Sequence, residues 1–100
     1  MKTYEGERVM EGARVTVNGA PLPTRAEFHT YSRTGFEWGF VGPGPQQLAL
    51  ALLADHLGDS QRAQALARPF MRKVVAQLDN AWRMGSDDID AGLGEIGSSD

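Results

Sequence analysis

The hydrophobic pattern changes period along the chain, reading as strands first and helices afterwards. Arg14-Val15-Thr16-Val17 alternates polar and apolar side chains, the period-two signature of a half-buried strand. Asn18-Gly19 follows directly and favours the positive φ angles of a two-residue type I′ turn. Ala20-Pro21-Leu22 is then expected to return as the next strand, at a sheet edge, because Pro21 has no N–H for a ladder. Tyr4 to Met10 is the expected partner strand upstream, separated from the hairpin by Glu11-Gly12. Thr24 and Glu27 have capping-box spacing ahead of Phe28, with room for a short turn only. Phe36 to Val41 is aromatic-rich and bounded by Gly35 and Gly42, which predicts a further short strand.

Helical spacing takes over at Gly42-Pro43-Gly44-Pro45, a rigid turn in which Pro45 suits the first helical position. A helix from Pro45 to about Leu57 is predicted, with Gly58 just past its end. Leu48 and Leu52 lie on one side of it and Leu50, Leu53 and Leu57 near the opposite side, with alanines between. A helix apolar nearly all round must be the central, buried element. The second helix is the clearest periodic signal. Ala63, Leu66, Ala67, Phe70, Met71, Val74, Val75 and Leu78 follow steps of three and one without an error. Asp59 or Ser60 supplies its N-cap. The stripe keeps its phase across Pro69, which predicts one kinked helix, with a break at Pro69 as the alternative. Ser86 is expected to cap a short final helix anchored by Ile89 and Leu93. Asp87 and Asp88 in its first turn suit the positive end of the helix dipole. From Gly94 onward the chain is expected to fray.

These signals predict an α+β fold. A small antiparallel sheet, formed by N-terminal strands with an Asn-Gly hairpin, packs on the buried helix and on the amphipathic, Pro-kinked one. One domain over residues 1–93 is expected, with 94–100 as a frayed tail.

Composition narrows the possibilities without selecting one. The 100 residues suffice for one domain and are too few for two, and 41% hydrophobic content argues against a wholly disordered chain. With no cysteine there is no disulfide framework, thiolate nucleophile or cysteine metal site. The longest apolar run, Leu48 to Ala54, is seven residues, far short of the roughly 20 that span a bilayer. The opening Met-Lys-Thr-Tyr-Glu-Gly-Glu has no apolar signal-peptide core, so a cytoplasmic location with no membrane partner is expected. A net charge of −3 gives no general attraction to nucleic acid. The charge is uneven, however. Arg62, Arg68, Arg72, Lys73 and Arg83 stand against Asp79 alone in residues 60–83, and Asp87, Asp88, Asp90, Glu95 and Asp100 stand unopposed after them. Arg62, Arg68, Arg72 and Lys73 fall on the outward side of the second helix.

Catalytic chemistry finds little footing. The Gly42-Pro43-Gly44-Pro45 turn lacks two N–H groups and carries Gln46-Gln47 where a phosphate loop needs Lys and Ser. His56, between Asp55 and Leu57, is explained as a cation near a helix C-terminus, since its neighbouring carboxylates point in other directions. His29 sits in a polar loop with Thr30, Tyr31, Ser32 and Arg33, and loops carry function more often than cores do. Phe36, Trp38 and Phe40 lack the basic interleaving of a nucleic-acid platform, so packing against the Leu-rich helix is expected.

The run from Gly35-Phe36-Glu37-Trp38-Gly39 through Gly42-Pro43-Gly44-Pro45-Gln46-Gln47 to Leu48-Ala49-Leu50-Ala51-Leu52-Leu53 is followed by Asp55-His56-Leu57-Gly58-Asp59. It resembles the core of a family of small uncharacterised bacterial and phage proteins, a domain of unknown function. Tyr4-Glu5-Gly6-Glu7-Arg8, the Val17-Asn18-Gly19 turn, Phe70 and Trp82 are similar too, extending the likeness over residues 3–93. Pro43 departs from the small Ser expected there. The resemblance carries no catalytic residues. It implies an origin on phages or mobile elements, whose small acidic proteins include inhibitors of host defence such as anti-CRISPR proteins.

The expected function is therefore a non-catalytic interaction protein. It would bind a host protein or nucleoprotein complex stoichiometrically, with a CRISPR effector as one such complex. No cofactor or metal and no direct nucleic-acid contact is expected. Three surfaces are candidates: Arg62, Arg68, Arg72 and Lys73; His29, Tyr31 and Arg33; and Asp87, Asp88 and Asp90. The alternative is a small ligand-binding protein or enzyme using the His29 loop near Trp38.

Overall fold

The computed structural model describes residues 2–10 and 12–97. A four-stranded antiparallel sheet packs on three helices, so the fold is α+β. The strands are β1 (Thr3–Val9), β2 (Gly12–Val17), β3 (Ala20–Pro21) and β4 (Trp82–Gly85), ordered β3-β2-β1-β4. The helices are α1 (Pro43–Leu57), α2 (Ser60–Lys73) and α3 (Ser86–Gly97), with a 3₁₀ turn at Val75–Gln77.

The Asn-Gly turn forms as the sequence predicts. Asn18 and Gly19 both have positive φ, 51° and 85°, and Val17 pairs with Ala20 across it. Asn18 also extends the β1–β2 ladder. Its N–H donates to the Thr3 carbonyl at 2.8 Å, and its side-chain oxygen accepts from the Thr3 N–H at 2.9 Å. Pro21 lies on the edge strand, where its missing N–H costs no ladder bond. Alternation then sorts the sheet into two faces. Tyr4, Gly6, Val15, Trp82 and Met84 are buried against the helices, while Glu5, Glu7, Arg14 and Arg83 are exposed on the other side.

The helix α1 is the centre of the molecule. Every residue from Leu48 to Ala54 is buried, as an all-round apolar helix requires. It begins at Pro43 rather than at Pro45, because Gly42 ends the preceding extended chain and both prolines fit the first turn, whose N–H groups have no helical partner. Gly58, left-handed at φ 69°, closes α1 with its N–H on the Ala54 carbonyl. Asp59 then caps α2, its Oδ1 accepting from the Gln61 and Arg62 N–H groups at 3.1 Å each. The helix continues through Pro69 but stops at Lys73, short of the expected Leu78. The apolar stripe goes on because the 3₁₀ turn keeps Val75 buried and Leu78 partly so.

Four further readings are corrected. Phe36–Val41 is not a strand: it pairs with no neighbour, and Gly35 and Gly39 take positive φ angles that break extended geometry. Trp82–Gly85, for which no element was expected, is the fourth strand. Ser86 does not cap α3. Its hydroxyl accepts from the Lys2 N–H at 3.2 Å, and Asp88 reaches back to the Gly85 N–H at 2.8 Å in its place. The helix then runs on through Gly94 to Gly97, and residues 98–100 of the expected tail lie outside the described residues. Gly92 permits this packing, since a Cβ there would stand 2.7 Å from Cγ2 of Val74, the residue just past α2.

Candidate functional site

Between β3 and α1 the chain runs for residues 22–42 with no helix or strand. Connections this long inside a small domain are uncommon and are usually functional or disordered. This one is held in place from several sides. Gln47 of α1 is fully buried, and its amide makes four hydrogen bonds to the loop. Its Oε1 accepts from the N–H groups of Tyr31 at 2.7 Å and Ser32 at 3.2 Å. Its Nε2 donates to the carbonyls of Thr24 at 2.8 Å and His29 at 3.1 Å. A buried amide with every donor and acceptor partnered both satisfies and fixes the backbone around it.

Arg8 of β1 holds the second half of the loop. It ion-pairs with Glu37, donates to the Trp38 carbonyl at 3.1 Å and to Asn80 Oδ1 at 3.2 Å, and lies 4.7 Å above the Trp38 ring. Trp38 is fully buried and meets Trp82 edge to face, with centroids 5.7 Å apart. Gly39 donates its N–H to the Val75 carbonyl at 3.0 Å. Gly44 lets the loop close on α1, because a Cβ there would lie 2.7 Å from Cβ of Glu37.

The start of the loop meets a charged cluster. Asp55 of α1 accepts from Lys2 Nζ at 3.0 Å and from the Tyr4 hydroxyl at 2.6 Å, and stands 3.6 Å from Arg25 Nη2. Burial pushes the Asp55 carboxyl up, but the hydrogen bonds from Tyr4 and Lys2 and the charges of Lys2 and Arg25 outweigh it and leave its pKa lowered. Burial, then the hydrogen bond to Asp55, hold the Tyr4 hydroxyl far above the ordinary tyrosine range. Arg25 adopts φ 60°, a left-handed conformation unusual for a residue with a side chain.

Part of what this frame presents outward is apolar. Phe40 is 49% exposed and Val41 58% exposed, adjacent in the turn before α1, and Phe28 is 37% exposed below the Arg25 guanidinium. The expected packing of the aromatic segment in the core therefore holds for Trp38, and in part for Phe36, but not for Phe40.

The residues expected to make contacts lie on three separate elements. His29 and Arg33 are exposed in the loop, and the rings of His29 and Tyr31 stack 4.2 Å apart. Arg62, Arg68, Arg72 and Lys73 are exposed on α2. On α3, Asp87, Asp88 and Asp90 are all exposed; Asp88 is engaged as the cap, and Asp90 Oδ1 accepts from His56 Nε2 at 2.6 Å. No hydrogen bond or ion pair joins these three groups to one another among the described residues. A concavity of about 570 Å³ lies elsewhere, on the outer face of the sheet, lined by Glu5, Glu7, Arg14, Thr16, Trp82 and Arg83 among others. No group of three or more histidine, aspartate or glutamate side chains suited to a metal occurs among the described residues, and no helix among them is long and apolar enough to cross a membrane.

Gln47, Arg8 and the Phe40–Val41 tip were not singled out from sequence as site residues. Gln47 had one signal: it is the polar residue directly ahead of the apolar run Leu48–Ala54.

From Tyr4 in β1 to Glu95 in α3, the chain matches a family of unknown function, DUF6166, over residues 4–95. It belongs to that family. The DUF6166 span takes in the sheet from Tyr4 onward, the loop and α2, so the loop and its supports Arg8 and Gln47 belong to the family's domain. No curated protein and no solved structure matches the chain.

Proposed function

We propose that the protein is a small, non-catalytic interaction protein that binds a larger protein or nucleoprotein complex of its host stoichiometrically. The 22–42 loop is its contact surface. The observation that carries this reading is the exposure of Phe40 and Val41 on a loop whose backbone is held by Gln47 and Arg8. Exposed aromatic and aliphatic side chains on a fixed support bind without a large ordering cost, and such anchors dominate interface energies. His29, Tyr31 and Arg33 lie in the same loop and supply a polar rim. The finer reading is an inhibitor of a host defence complex, of the anti-CRISPR type, acting in the cytoplasm. It rests on the likeness of the Gly35–Leu53 run to proteins of phages and mobile elements.

The test is affinity capture of the tagged protein from host lysate, with and without nuclease, beside a Phe40→Asp/Val41→Asp variant. A dominant nuclease-resistant partner that the variant loses, at an unchanged melting temperature, is the expected result. Capture of the same partner by both proteins, or of none by either, overturns the loop reading. Subunits of a CRISPR effector among the captured proteins are what the finer reading expects.

A further inference from the structure

We infer that the outward face of α2 is a second docking surface, fitted to an acidic helix on a partner protein. Of the arginine and lysine side chains, Lys2, Arg8, Arg14 and Arg25 are held in ion pairs by the fold. Arg33 and Arg83, apart from each other on the loop and on β4, and Arg62, Arg68, Arg72 and Lys73, together on one helix and exposed, have no ion-pair partner among the described residues. Arg72 and Lys73 suit the negative end of the α2 dipole, but no carboxylate among the described residues is paired with any of the four on α2, and they stand where a partner can.

Their placement is not a uniform basic coat. At about 100° per residue, Lys73 returns to within about 20° of Arg62, three turns on, while Arg68 and Arg72 form a second row one turn apart. Between the rows lie exposed Ala65 and partly buried Pro69, giving a low seam flanked by cations on both sides. Pro69 has no N–H, so the Ala65 carbonyl loses its helical donor in the middle of that seam. The surface therefore offers cations at the flanks, about 6 Å apart along the Arg68–Arg72 row, and a backbone acceptor at the centre. A helix with carboxylates repeating each turn matches that spacing, and the small seam lets its backbone come close.

The surroundings favour a local acidic patch over a polyanion. α3 packs directly on the end of α2, through Gly92 against Phe70 and against Val74 just past the helix, and it carries exposed Asp87 and Asp90. Together with the net charge of −3, these carboxylates repel a long phosphate backbone while leaving the α2 face open to a short one-sided helix.

The experiment uses the purified protein, so its result is independent of whether the loop binds anything. The probe is an alanine-rich helical peptide of about 18 residues with glutamates one turn apart in two rows. Its controls are the same peptide with lysines and a DNA duplex of about 12 base pairs. Binding is followed through amide shifts from about 50 to about 300 mM salt. Expected are shifts within residues 60–73 for the glutamate peptide alone, at micromolar affinity that falls with salt. Arg68→Glu with Arg72→Glu weakens binding about tenfold or more. Ala65→Gln, which fills the seam without touching a charge, weakens it several-fold. Absence of α2 shifts at millimolar peptide, shifts centred elsewhere, or tighter binding of the duplex each overturns the inference. So does a dimer in sedimentation that the charge reversal dissolves, because that would make a second copy the occupant.

Discussion

Gly6 and Trp82 sit opposite each other across the β1–β4 pair, and the indole lies where a side chain on Gly6 would have to be. The ring thus covers bare backbone at the centre of the sheet. Gly6→Ala forces the ring or the strand to move and is expected to cost about 2–3 kcal/mol in urea denaturation. Trp82→Leu is costly by itself, but the double variant should lose less than the two single losses together, since the smaller side chain makes room for the methyl group. Strict additivity in that cycle would mean that the contact does not limit the site.

Gln47→Leu removes the partners of four loop backbone groups at once. An expected loss of about 2–4 kcal/mol follows from leaving buried groups unpaired. The sharper readout is hydrogen exchange. The Tyr31 and Ser32 amides, which donate to Oε1, should exchange much faster, while amides in the middle of α1 should follow only the global loss of stability. Gln47→Glu separates the two halves of the clamp, keeping the acceptor for Tyr31 and Ser32 and placing an anion against the carbonyls of Thr24 and His29.

The Tyr4–Asp55 contact makes stability depend on pH at both ends of the range. Asp55 has a pKa below its ordinary 3.8 in the folded protein. Its contribution is complete above the unfolded value and is lost as pH falls through the folded one. Tyr4 is shifted upward from 10.0, so its contribution is complete below that pH and is lost as pH rises above it. Urea midpoints measured across pH should show a shallower acid limb for Asp55→Asn and a flatter alkaline limb for Tyr4→Phe.

Asp59 caps α2 with two backbone N–H donors on one carboxylate oxygen. Asp59→Ala should cost about 1–2 kcal/mol, and Asp59→Ser should recover most of it. Circular dichroism during thermal melting measures both.

The elements that could be read from sequence are those in which local preference and burial agree. Asn18-Gly19 needed no distant contact to form its turn, and Leu48 to Leu53 could only be buried. β4 was legible but overlooked: Trp82 and Met84 face inward and Arg83 outward, a period of two over four residues. Phe36–Val41 misled because aromatic residues favour strands only where a neighbour offers a ladder, and here Gly35 and Gly39 turn the chain away from one. The candidate site was the least legible part. Its residues come from β1, α1 and the loop, and a spacing of 29 positions between Arg8 and Glu37 leaves no local trace.

β4 stands beside β1 in the sheet although nearly the whole chain separates them, and the Lys2 N–H reaches Ser86 across 84 positions. During synthesis this has a consequence for timing. The leucine-rich helix leaves the ribosome before Trp82, so until Trp82 emerges Gly6 has no ring over it and Trp38 no partner at its edge. The sheet cannot be completed before residues 82–85 emerge, because β4 is the strand that pairs with β1 on the side away from β2.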